Sequence, residues 1–288
     1  MSRTSDKTQR KGAPTHFRTL EFTLGLLFVG VMGLAVLFSG IVFPDGGEKI
    51  DLTARLLPPF THGTHSLGTD PLGRDVLARI VTGGKISLEV GLLSVAGAVT
   101  VGVVVGMMSG YYRGLCDMIV MRLVDIQLAL PFILLAITVI AIFGGSLSHT
   151  IILLIVSQWV QYARLVRGLV IALRERDFIQ QAQAIGVGDV KLLFSHLLPN
   201  LIGPVIVLMT LNIANNILLE SSLTFLGLGI DPTIPSWGGM LAQGRTYLQN
   251  AWWIAVFPGL AIMVTVLGFN LLGDWLRDRL DPTGTTLR

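Results

Sequence analysis

The sequence predicts an all-α, polytopic membrane protein, and three observations carry that prediction. Hydrophobic residues make up 52% of the 288 and charged residues only 14%, against about 25% charged in a soluble domain; the mean hydropathy is +0.70. Several uncharged runs reach the roughly 20 residues that a helix needs to cross a bilayer. The basic residues cluster at the ends of those runs, as topology signals do.

In chain order, residues 1–21 form a basic tail and Phe22–Phe43, without a charged residue, forms the first span. The basic start resembles a secretory signal, but the apolar run exceeds the roughly 7–15 residues of a signal core and no A-x-A site follows. An uncleaved anchor is the expectation. Residues 44–85 form a polar loop. Within it Asp70, Arg74 and Asp75 are expected to cap and anchor a short helix ending near Val81, with Asp75 and Arg79 paired at i,i+4.

A core of residues 86–275 follows. Ile86–Gly110 is the second span. From Ile126 to Ala163 only His149 interrupts 38 uncharged residues, which as one helix would measure about 57 Å. The break is therefore placed at Gly144-Gly145-Ser146, making a hairpin of spans three and four. Span five is expected at about Asn200–Leu219 and span six at about Trp252–Gly273, before a tail at 276–288.

Charge sets the orientation. With both ends inside, the outer segments hold Lys49, Arg55, Arg74, Arg79, Lys85 and Arg245, and the other fifteen of the 21 basic residues fall inside. Lys and Arg favour the cytoplasmic side, so six spans with both termini cytoplasmic are expected. Trp252 and Trp253 then sit at the outer interface. The pI near 9.2 is explained by this placement and does not imply nucleic-acid binding. One cysteine, Cys116, excludes an intrachain disulfide and reads as a packing residue. No G-x-x-x-x-G-K-[ST], H-E-x-x-H or G-x-S-x-G occurs, and no internal repeat is found.

Between spans four and five lies the longest inner loop, 174–199. From Asp177, apolar Phe178, Ile179, Ala182 and Ile185 mark one helical face, and Gln180, Gln181, Gln183 and Ala184 fall elsewhere. Gly186 and Gly188 end this helix; a second runs from about Val190 to His196, and Pro199 opens span five or forms the elbow before it. Periodicity alone leaves two readings: a helix lying on lipid, or one docked in a partner's groove. Glutamines in place of Lys and Arg on the polar face lean toward a protein partner.

These residues also carry a resemblance. Arg174-Glu175-Arg176-Asp177-Phe178-Ile179-Gln180-Gln181-Ala182-Gln183-Ala184-Ile185-Gly186, then nine residues to His196 and Leu197-Leu198-Pro199-Asn200, resembles the EAA loop of ABC importer permeases. Gln180 and Gln181 stand where that pattern has Glu and Ala, while Ala182 and Gly186 match. Leu67-Gly68-Thr69-Asp70-Pro71-Leu72-Gly73-Arg74-Asp75, Arg122-Leu123-Val124-Asp125 with Pro131, and Phe225-Leu226-Gly227-Leu228-Gly229 with Pro235-Ser236-Trp237-Gly238 resemble segments of its dipeptide, oligopeptide and nickel branch. The long loop between spans one and two resembles the "C" permease of the pair.

The resemblance implies a type I importer (MetI-like) fold in a bacterial inner membrane. It implies that the chain forms half of a pore with a homologous "B" permease. Two ABC ATPases and an extracytoplasmic binding protein complete the assembly, with ATP and Mg on the ATPases and no cofactor on this chain. Asp177, Phe178, Gln180, Gln181, Ala182, Ala184, Gly186, His196 and Pro199 would couple it to the ATPases; Asp70, Gly73, Arg74 and Asp75 form the outer-loop signature. The cargo would be di- or oligopeptides; alternatively nickel, glutathione or another small solute.

Other residues are weighed on their chemistry. Asn212, Asn215, Asn216 and Glu220 recur at helical spacing, either as a polar stripe on the translocation path or as hydrogen-bonding groups between helices. Glu220 closes span five, where a wetted or capping role is expected. Arg122 and Asp125 are expected to pair. His62 and His65 lack a third metal ligand and read as ordinary loop residues. His196 has no catalytic companions and is expected to orient the loop. No catalytic residue or metal site is expected; an intramembrane enzyme and a lipid-surface scaffold are the competing classes.

Overall fold

In the computed structural model, residues 15–61 and 65–280 are described; the expectations on the first residues of the tail, on His62 and on the last eight residues fall outside them. The described residues fold as helices, most of them joined by short turns, with a long loop between Val42 and Val76 that holds a single 3-10 turn (Leu52–Ala54). The chain gives α1 (Thr15–Leu37), the single turn α2 (Ser39–Val42), α3 (Val76–Tyr112), α4 (Gly114–Ala129), α5 (Phe132–Phe143) and α6 (Leu147–Arg174). It continues with α7 (Asp177–Ala184), α8 (Asp189–Lys191), α9 (Leu198–Phe225), α10 (Trp237–Gly244) and α11 (Trp253–Leu280).

Four helical stretches are long and apolar enough to cross a membrane, or five if the bent pair α4–α5 counts as one. The expected count of six is not reached on this measure. α6 has 28 residues, ample for a span, but it carries Gln158, Gln161, Arg164 and Arg167.

α3 differs from its expectation. The short helix capped by Asp75 and the second span are one helix of 37 residues, about 55 Å long. Asp75 is its N-cap, accepting from the Ala78 N–H at 2.8 Å. Nothing between Val81 and Ile86 breaks the helix, so it projects well beyond a hydrocarbon core of about 30 Å.

α3 packs most extensively against α6. Gly106 and Gly110 make this possible. A Cβ at Gly106 would lie 2.6 Å from the Ala163 carbonyl oxygen, and one at Gly110 2.9 Å from that of Arg167. Small residues at one-turn spacing let the two backbones approach, which is how helices gain dispersion contacts where lipid offers no hydrophobic drive. α11 lies between α1 and α9, with Gly25 and Gly268 at the crossing and the rings of Phe22 and Trp275 4.4 Å apart.

The hairpin break falls at 144–146 as expected, with Gly144 at φ +81° and Ser146 capping α6 through the His149 N–H. Span three is not straight, however: α4 and α5 meet at 87°. Pro131 has no N–H and biases Leu130 away from helical geometry; Leu130 is extended (φ −92°, ψ 121°). Arg122 and Asp125 on α4 are both exposed, and among the described residues they form no ion pair. Asp117 instead pairs with Arg167 of α6, with Oδ2 2.6 Å from Nη2.

The expected second short helix of the inner loop is not separate either. α8, six residues of π-helix (Leu192–Leu197) and α9 run on without a gap, so Asp189–Phe225 is one candidate span. The widened turns lie directly before Pro199, whose ring has no N–H for the Ser195 carbonyl.

Candidate functional site

The residues singled out from the sequence gather at the two ends of the bundle and along its interior. At one end stand the C-terminus of α3, the end of α6, α7 and α8. α7 ends in a Schellman motif: the Val187 N–H reaches the Ala182 carbonyl and the Gly186 N–H that of Gln183, both at 3.0 Å. Gly186 supplies the required left-handed conformation at φ +81°.

The apolar stripe of α7 divides. Ile179 and Ala182 are buried in a cluster with Met107 and Tyr111 of α3, Val166 and Val170 of α6, and Leu192 and Leu197 of the π segment. Phe178 is 44% and Ile185 82% exposed; Asp177, Gln180, Gln181, Ala184 and Gly186 are exposed too. Polar contacts lock this end. The Tyr111 hydroxyl donates to Asp189 Oδ1 at 2.7 Å. Arg174 donates to the Tyr111 carbonyl at 2.7 Å and stacks on its ring. Arg113 bonds Glu175 at 2.7 Å. α6 continues to Arg174 as a stiff extension, so α7 hangs from rigid supports. The His196 ring makes a long contact, 3.4 Å from its Nδ1 to the Lys191 carbonyl, while its own carbonyl accepts from the Asn200 amide at 2.6 Å, and Pro199 is exposed.

At the opposite end the signature 67–75 forms a knot. Asp70 is fully buried and accepts from the backbone N–H groups of Leu72 (2.8 Å) and Arg74 (3.0 Å), from Arg74 Nε (2.6 Å) and from Arg79 Nη1 (2.7 Å). The expected Asp75–Arg79 pair gives way to this arrangement; Asp75 takes His65 Nδ1 at 2.8 Å. Gly73 sits at φ +75°, and a Cβ there would fall onto the Asp51 carbonyl. The knot reaches later segments: Arg79 also donates to Gln243 of α10 at 2.8 Å, and Trp253 Nε1 donates to the Thr69 carbonyl at 3.0 Å. Trp253 is therefore a buried anchor, and only Trp252 is exposed. Trp237 ties α10 to α3 through the Ile80 carbonyl at 2.8 Å.

Inside the bundle, α9 turns Asn212, Asn216 and Glu220 toward α3 and α6. Asn212 donates to the Tyr162 hydroxyl (3.0 Å) and Gln161 (3.3 Å). Asn216 donates to Ser94 Oγ at 2.6 Å and accepts from Gln158 Nε2. Glu220 accepts from Ser87 (3.2 Å), Ser221 (3.3 Å) and Thr224 (3.0 Å). It is fully buried rather than wetted. Asn215 is exposed on the other face.

Four motifs in order, with a helix offering side chains beyond its own core, describe a subunit built for an assembly. Residues 102–283 match the family described as "Binding-protein-dependent transport system inner membrane component". The chain belongs to that family. This transport component is thus a multi-pass membrane protein, and its family's role is transport. It is 42% identical over 90% of its length to the dipeptide transport system permease protein DppC of Alkalihalophilus pseudofirmus, covering 84% of that protein. It is 40% identical to the di/tripeptide transport system permease protein DppC of Pseudomonas aeruginosa, covering 90% of this chain and 86% of the relative. It is 43% identical to the glutathione transport system permease protein GsiD of Pectobacterium atrosepticum, over 76% and 72% of the two chains.

Sequence reasoning passed over Tyr111, Gln158, Tyr162 and Gln243. Gln158 carried a signal: a glutamine inside an uncharged run needs a partner when buried.

Proposed function

We propose that this permease component is one half of the membrane channel of an ATP-driven importer of di- or oligopeptides. It pairs with a homologous "B" permease, receives cargo from an external binding protein and is driven by two cytoplasmic ATPases through α7. ATP and Mg belong to those ATPases. Six crossings would place both termini in the cytoplasm.

The observation that supports this most is the two-sided α7. Its inner face is fixed in the bundle core through Ile179 and Ala182, while Phe178 and Ile185 stand exposed beside it. A push on the outer face reaches α3, α6 and α9 because the inner face cannot slip. The apolar exterior of α4 and α5, including Leu123, Ile126 and Ile133, suits lipid or the second permease. Asn215, on the exposed face of α9, is the asparagine open to the translocation path.

The cargo reading rests on the dipeptide and di/tripeptide relatives. The glutathione relative favours a second reading within the same chemistry, since glutathione is a tripeptide. Single cysteines at Phe178 and Ile185, treated with a short bifunctional crosslinker in membranes, should capture the ATPase. A cysteine at Leu248, at the other end, should not. Labelling of the Phe178 position by an impermeant thiol reagent from outside intact cells would reverse the orientation and end this reading.

A further inference from the structure

A cleft of about 630 Å³ opens at the α10 end, between the hairpin tip at Gly145, the segment after α9 and α10 itself. That volume lies in the range of about 300–1,000 Å³ found for small-molecule sites. Three guanidinium groups line it: Arg74, Arg79 and Arg245. Arg74 and Arg79 share a single carboxylate oxygen, Asp70 Oδ2, so the pair carries one positive charge more than its buried partner cancels.

Arg245 lies over the Phe225 ring at 5.4 Å. A cation–π contact of this kind positions a guanidinium without using its N–H donors. Among the described residues Arg245 has no carboxylate or hydrogen-bond partner. The same lining includes Asp231. Its Oδ1 accepts from the Thr233 N–H (2.8 Å) and hydroxyl (2.7 Å), which holds its carboxyl below the usual range. Among the described residues Oδ2 has no hydrogen-bond partner.

A lining that holds both guanidinium groups and a carboxylate offers partners for the two ends of a zwitterion, which a purely cationic cleft would not. The rest of the lining is largely apolar or glycine, including Leu226, Ile230, Ile234 and Gly229, and its other polar side chains are already engaged, Ser236 by the Gly239 N–H and Gln243 by Arg79. The floor is Thr224, whose hydroxyl donates to the buried Glu220. The cleft thus ends on the polar column of α9.

We propose that this cleft is a peptide-receiving site of the permease itself: its arginines, Arg245 foremost, hold the C-terminal carboxylate of a short peptide, and Asp231 faces the α-ammonium. The proposal rests on the reading of this chain as a peptide permease. It adds a second point at which the free peptide ends are read, after release from the binding protein and before the spans. Recognition through the two termini, with loose apolar walls, passes peptides of different side chains.

The test uses the intact transporter in nanodiscs, without its binding protein, and alanyl-photoleucine as the probe, either as the free acid or as the C-terminal amide. The free acid should label residues 224–245. Amidation, or Arg245→Ala, should lower that labelling roughly tenfold, as expected for losing a charge-assisted hydrogen-bonded contact; Arg245→Lys should fall between. Arg245 is exposed, so melting of the variants should match the parent. Absent labelling, equal labelling by acid and amide, or labelling indifferent to Arg245→Ala would overturn the site. So would capture of a binding-protein carboxylate in the cleft in place of the peptide. Uptake of the same dipeptide by the complete transporter separates the two ideas. Uptake without cleft labelling sinks the site alone, whereas no uptake of any peptide sinks the cargo reading beneath it.

Discussion

The hydroxyl of Tyr111, on the last turn of α3, donates to the carboxylate of Asp189, on the first turn of α8, at 2.7 Å. This bond joins α3 to the start of the continuous helical stretch that follows α7. Tyr111 is 4% exposed and belongs to the cluster that also holds Ile179 and Ala182, so the contact is part of the support on which α7 rests.

Tyr111→Phe should separate support from packing. The ring and its stacking with Arg174 stay, and only the hydroxyl is lost, at a cost of about 1 kcal/mol. The expected outcome is normal assembly with fewer peptides imported per ATP hydrolysed, read by measuring uptake and phosphate release together in proteoliposomes. An unchanged ratio would show that this bond carries no coupling.

The two faces of α7 should respond oppositely. Ile179→Ala opens a void in the cluster and should destabilise the permease by about 2–4 kcal/mol, seen as a lower melting temperature in detergent. Ile185→Glu lies at an 82% exposed position and should leave melting unchanged while weakening retention of the ATPase on an affinity column. Equal melting losses in both would mean the stripe is not divided.

Asp70→Asn removes the only charge that Arg74 and Arg79 share among the described residues. Breaking a buried pair from one side costs about 3–5 kcal/mol because the remaining cation stays buried and unpaired. The outer knot should loosen, detected as faster proteolysis between residues 44 and 75. Asp75→Asn keeps an N-cap and should be mild by the same assay.

Asn216→Ala leaves Gln158 Nε2 without its acceptor and Ser94 without a donor, at about 1–3 kcal/mol. Asn215→Ala, one residue away on the exposed face, should cost nothing measurable in melting. If Asn215→Ala alters uptake kinetics and leaves stability intact, the path runs along that face; if neither changes, Asn215 faces lipid or a packed partner.

Gly106→Val should prevent α3 from reaching α6, since even a Cβ would sit 2.6 Å from the Ala163 carbonyl oxygen. Little folded protein is expected in membranes, as judged by monodisperse elution after extraction. Gly168→Val, at a glycine with open space around it, should express normally.

Much of this protein was legible from composition and spacing. Uncharged runs and the placement of basic residues give an all-α membrane protein because a bilayer tolerates little else: each backbone polar group must be satisfied within its own helix. The Gly144–Ser146 break was legible because 38 uncharged residues in one helix would carry apolar surface far beyond a bilayer, and Gly186 because only a residue free of a Cβ adopts its φ cheaply. The motif at 174–200 marked the loop.

Tertiary packing decided what those rules leave open. Length limits say where a span can lie, not where a helix stops, so α3 runs from the Asp75 cap through the expected boundary at 85–86, and α8 joins α9 through π turns. Charge spacing suggested Asp75–Arg79 and Arg122–Asp125. The fold instead brought Asp70 to Arg79 and Asp117 to Arg167, because a buried or half-buried carboxylate takes the donors that folding places around it, whatever their separation along the chain. The same holds for the asparagines of α9. Helical spacing aligns Asn212, Asn216 and Glu220, but only the positions of α3 and α6 turn that stripe inward and leave Asn215 outside.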